Sequence, residues 1–151
     1  MNEALPEGVQ FYLAACDSIL QRGMQDGIGS LSAIERTVLR VYVFDCEQQM
    51  GGLTTFFYNT DSAPEVAAET ALALESIGAS GTAAIFRAAA ALICRPTLQR
   101  VGNKWGDRLQ QLDPDGQLDT LCNQIDRLAE SVSDLLEVFV IRHRNELDRN
   151  G

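Results

Sequence analysis

Apolar side chains recur every three or four residues along almost the whole chain, the period that gives an α-helix one face to bury. Val9, Tyr12, Leu13, Cys16, Ile19 and Leu20 share a face of a first helix, which Gly23 and the Gly27/Gly29 pair are expected to end. Ser32-x-x-Glu35 has the form of a capping box, in which hydroxyl and carboxylate take up amides that a first helical turn leaves unpaired. The helix it opens should run to about Met50 and stop at Gly51-Gly52. Its apolar positions, Ile34, Val38, Leu39, Val41, Tyr42, Val43 and Cys46, wrap round much of the circumference. Such a helix is buried on more than one side, which puts it at the centre of the core.

Residues 53–58 are aromatic and β-prone, but no partner strand exists, so a brief helix or ordered turn is expected there. Asp61 or Ser62 can cap the next helix, with Pro64 in its first turn and Gly78 at its end. Ser80 opens another helix through Ile85, Ala89, Leu92 and Ile93, stopping before Pro96. A sixth carries Leu98, Val101, Trp105, Leu109 and Leu112 and ends at the turn Asp113-Pro114-Asp115-Gly116. The last stripe, Leu118, Leu121, Ile125, Leu128, Val132, Leu135, Leu136 and Phe139, predicts one long helix reaching about Arg144. With no repeat or linker in residues 1–151, the expected architecture is all-α, a single helical bundle of about six to seven helices with a long C-terminal helix.

Charge narrows the partners. Asp plus Glu number 21 against 12 Lys plus Arg, a net charge of -9. That excess repels nucleic acid and anionic lipid and draws basic partners over a Debye length of about 8–10 Å. Direct nucleic-acid binding needs clustered cations, which the chain lacks. The N-terminus has no cationic stretch followed by an apolar run, and no apolar run approaches the ~18 residues of a membrane span. Cys16, Cys46, Cys94 and Cys122 lie far apart in or beside apolar stripes, as buried reduced thiols of a cytoplasmic protein would.

Catalytic constellations are missing from the pattern. The single histidine, His143, stands between Arg142 and Arg144 near a helix end, where it complements the helix dipole and makes a poor base. Lys104 is the only lysine, Gly51-Gly52 is too short to cradle a nucleotide, and Gly102-x-x-x-Gly106 is a weak packing signal. No acid sits in an apolar setting that would raise its pKa. No cofactor, no metal and no enzyme activity are expected; the chain reads as a binding protein.

The acids are unevenly placed. Residues 41–86 contain no Lys or Arg yet hold Asp45, Glu47, Asp61, Glu65, Glu69 and Glu75. Asp61, Glu65 and Glu69 recur at i, i+4, about 6 Å apart along a helix axis. Asp119, Asp126, Glu130 and Asp134, continued by Glu137, form a second column on the last helix, with Arg127 the one cation beside it. DNA phosphates recur along a strand at roughly 6–7 Å, a little less than twice the ~3.4 Å rise per base pair, so carboxylates a turn apart can stand in for them. A solvated wet face has the same period.

Three segments carry a family resemblance: Arg36-Thr37-Val38-Leu39-Arg40-Val41-Tyr42, Gly51-Gly52-Leu53-Thr54-Thr55-Phe56-Phe57-Tyr58-Asn59, and Ala71-Leu72-Ala73-Leu74-Glu75-Ser76-Ile77-Gly78-Ala79. Together with the ending, Leu118-Asp119 through Val140-Ile141-Arg142-His143-Arg144, they resemble the DNA mimic protein 19 family over roughly residues 31–149. The resemblance implies a bacterial all-helical homodimer that offers carboxylates in place of duplex DNA to a transcription factor or nucleoid protein. It implies a folding role for the Gly-Gly-aromatic segment, with Phe56 and Phe57 in the core and Asn59 closing the turn before Ser62. Asp61, Glu65, Glu69, Asp119, Asp126, Glu130 and Asp134 are the candidate partner-binding, phosphate-mimicking residues. The alternative is an interaction, immunity or antitoxin-like protein without DNA mimicry. The two differ in the salt dependence of binding.

Overall fold

The computed structural model describes residues 4–94 and 105–149, and of Trp105, Gly106 and Arg108 only the backbone. Pro96, Leu98, Val101, Gly102 and Lys104 lie outside the described residues, as do Arg95 and Arg100. The fold is all-α. Its helices are α1 (Glu7–Asp26), α2 (Ala33–Asn59), α3 (Pro64–Ser76), α4 (Ser80–Ile93), α5 (Trp105–Leu112), α6 (Gln117–Asp126), α7 (Val132–Arg142) and α8 (Arg144–Leu147), with a 3-10 turn at Ile28–Ser30.

α2 is the hub, touching α1, α3, α5, α6 and α7. Its capping box forms: Glu35 N–H donates to Ser32 Oγ (3.2 Å) and Ser32 N–H to Glu35 Oε2 (2.8 Å). The helical run is interrupted at Gly52, whose φ of 76° and ψ of -162° are a combination only glycine adopts readily. A Cβ there would also lie 2.7 Å from Cys122 Sγ on α6. Beyond the break the aromatic segment continues as helix, turning Phe56 and Phe57 fully inward. They meet Phe44 and Phe86 in a four-ring cluster, with centroids 5.3–5.8 Å apart and mostly edge-to-face. Around it one buried cluster collects Cys16 and Ile19 from α1, Leu74 from α3, Ile93 from α4, Leu118 from α6 and Leu136 and Val140 from α7.

Four boundaries differ from the pattern. α1 runs through Gly23 to Asp26, because Gly23 faces Leu39 across the α1–α2 contact and only Gly27, at φ 84°, ends it. Asp61 and Ser62 do not cap α3; both take left-handed backbone, and Ser62 Oγ–H donates back to the Phe57 carbonyl (3.2 Å). Asn59 reaches Glu47 Oε2 (2.7 Å) instead of closing that turn. The largest correction concerns the long C-terminal helix, which is three helices. α6 stops at Asp126, Ser131 restarts the chain by accepting from Asp134 N–H (3.2 Å), and His143 separates α7 from α8. The expected end of α3 does form at Gly78: Ala79 N–H reaches the Leu74 carbonyl and Gly78 N–H the Glu75 carbonyl, both 2.9 Å.

Candidate functional site

Several acids already have partners within the chain. Glu35, 1 % exposed, pairs with Arg22 Nη2 (2.5 Å). Burial alone would raise its pKa, but the Arg22 pairing and the Ser32 amide hold it below the ordinary glutamate range. Asp45 accepts from Ser133 Oγ–H (2.6 Å) and Gln49 (2.9 Å), tying α2 to α7. Asp113 accepts the first amides of α6, from Gln117 (2.6 Å) and Leu118 (3.0 Å). Glu75 is bridged by Arg87 and Glu7 by Arg144.

The seven candidate carboxylates separate into groups. Asp61 precedes α3 on a left-handed turn, so the first column shortens to Glu65 and Glu69. Glu69 is exposed but bridged by Arg40, at 2.8 Å from Nε and 2.7 Å from Nη2. The second column is divided by the break after Asp126: Asp119 and Asp126 belong to α6 and Asp134 to α7. Glu65, Asp119, Asp126 and Asp134 are exposed, with no cation bound to them among the described residues. Three of these, Glu65, Asp119 and Asp134, occupy first turns of helices, where the positive end of the helix dipole stabilises a carboxylate. Glu130 stands apart: half-buried, it accepts Gly81 N–H, Thr82 N–H and Thr82 Oγ–H, each at 2.9 Å.

Sequence periodicity missed a groove of about 540 Å³ between the end of α2, α5 and α6. Asp107, Asp113 and Asp119 line it with Thr54, Thr55 and Tyr58. Its acids come from three places in the chain: Asp113 belongs to the expected turn and Asp119 to the second acidic column, whereas nothing in the pattern marked Asp107 or the groove that joins them. On α7, the face of Asp134 continues at i+4 and i+7 into Val138 (53 % exposed) and Ile141 (42 % exposed), an apolar extension no charge column predicts.

All four cysteines are free thiols, and burial pushes Cys16 up to about 12 and, helped by Glu65, Cys94 up to about 11. Such thiols are held away from the thiolate. His143 Nδ1 meets Glu146 Oε1 at 2.9 Å on the partly open terminal turn. Among the described residues no group of three His, Cys, Asp or Glu could hold a metal ion, and no helix is long and apolar enough to cross a membrane.

A family model described as DMP19-like protein matches residues 29–143. The chain belongs to that family. No curated protein and no solved structure matches it. In this DMP19-like chain the matched region takes in α2 to α7, so it holds the capping box, the Gly52 break, the phenylalanine cluster and six of the eight helices among the described residues. α1 precedes it, yet supplies Cys16 and Ile19 to the same core.

Proposed function

We propose that this DMP19-like protein is a binding protein, not an enzyme, and that it competes with DNA for a basic DNA-binding partner. The observation that carries the reading is the sorting of its acids. Glu35, Asp113 and Glu130 are taken up by a cation or by backbone amides, while Glu65, Asp119, Asp126 and Asp134 stay exposed with no cation bound to them among the described residues. Asp119 and Asp126, seven residues apart on α6, stand about 10 Å apart along its axis. Family membership supports the same reading. A transcription factor or nucleoid protein is the class of partner, a reducing cytoplasm suits four free thiols, and a homodimer would double the anionic surface.

The test is competition. Added protein should release duplex DNA from such a partner, with affinity falling on the order of ten-fold or more between low and physiological salt. Glu65→Gln, Asp119→Asn, Asp126→Asn and Asp134→Asn combined should remove the competition while thermal unfolding stays cooperative. Affinity that is flat in salt overturns the reading.

A second reading draws on Val138 and Ile141, whose exposure beside Asp134 favours an apolar contact with protein. That contact would persist in high salt and weaken in Val138→Ser with Ile141→Ser.

A further inference from the structure

We propose that Glu130 is a positioning residue of the anionic surface: it clamps the α6–α7 joint to the start of α4, so setting the relative direction of the helices that carry Asp119, Asp126 and Asp134. This inference rests on the competition reading above.

Helix α4 begins without a side-chain cap of its own, since its N-cap residue is Ala79. Its orphan first-turn amides, Gly81 and Thr82, donate instead to a carboxylate 48 and 49 residues away, and the fully buried Thr82 hydroxyl adds a third bond. The fit leaves no slack. A Cβ on Gly81 would lie 2.9 Å from Glu130 Oε1 and 3.2 Å from Leu128 Cδ1, so the joint sits directly against the bare backbone of α4. Those donors also hold the Glu130 carboxyl below the ordinary glutamate range, against the opposing effect of burial. A carboxylate already accepting three bonds at a helix N-terminus has little left to offer an incoming cation.

The joint needs such a clamp. α6 and α7 both pack on α2, but α6 also packs on α4 and α7 on α1, so each helix answers to one neighbour the other lacks. Between Asp126 and Ser131 the chain is held by two backbone turns, Arg127 N–H to Asn123 O and Leu128 N–H to Ile125 O, and by Glu130. Releasing Glu130 frees the angle between Asp126 and Asp134 without changing either residue.

Gly81→Ala and Thr82→Val loosen the clamp at constant net charge, and Thr82→Ser keeps the hydroxyl. Binding is read by fluorescence anisotropy, on variants shown by circular dichroism to be folded, with two probes. One is a dimeric basic-region zipper peptide, whose forked helices are shaped to duplex phosphates; the other is decaarginine, which is flexible and senses charge alone. The expected result is about a ten-fold loss for the zipper peptide in Gly81→Ala and Thr82→Val, near wild-type decaarginine binding, and recovery in Thr82→Ser. A merely structural Glu130 would lower the melting temperature and leave both affinities alone, which overturns the proposal. Equal losses on both probes, confined to Glu130→Gln, would make Glu130 a contact charge and overturn it too. If the wild-type protein binds neither probe, the competition reading fails first and this inference with it.

Discussion

Two residues show how local chemistry is decided by what lies across from it. Gly52 combines a backbone only glycine tolerates with the Cys122 sulfur against its missing side chain. Gly52→Ala should therefore cost about 3 kcal/mol in urea unfolding, combining ~1–3 kcal/mol of backbone strain with the contact. Glu35 is read correctly from sequence as a capping residue, but its second partner, Arg22 on α1, is not visible there. A carboxyl depressed in the fold contributes stability above its unfolded pKa and loses it as pH falls through the lower folded value. The Glu35 contribution should thus be present at pH 7 and drain away as the pH drops below about 4.3. Glu35→Gln should cost about 2 kcal/mol or more at neutral pH, because Arg22 loses its partner, and should flatten the acid limb of the stability profile. Urea titrations at pH 7 and in acid measure both.

At the scale of elements, caps written in one stretch of sequence were legible, and breaks demanded by packing were not. The capping box, the Gly78 ending and the Asp113-Pro114-Asp115-Gly116 turn all lie within a few residues of the helix they control. The division of residues 118–144 has a local signal too, Ser131 three residues before Asp134, but an unbroken apolar stripe from Leu118 to Phe139 outweighs it on periodicity. What settles the matter is that, beyond their shared contact with α2, α6 packs on α4 and α7 on α1, and that Glu130 is drawn out of line to cap α4. Ser131→Ala removes the restart signal and should cost about 1 kcal/mol. For a chain of this length that corresponds to a melting temperature lower by about 2–4 °C in calorimetry.

For the whole molecule, function turns on which charges remain outside once folding has used the rest. Increasing salt should weaken partner binding steeply while leaving thermal stability nearly unchanged, since the buried Arg22–Glu35 pair is poorly screened and the exposed acids are not. Parallel binding and melting measurements across a salt series test that separation. The sequence by itself determined that the chain is helical, that α2 lies at the centre, that the aromatic segment is core and which family the chain belongs to. These follow from periodicity and short-range capping, which a linear pattern encodes. Only the tertiary structure decided which carboxylates face water. Whether an acid meets Arg40, the bare amides of α4 or nothing depends on residues dozens of positions away, brought near by packing that no local period records.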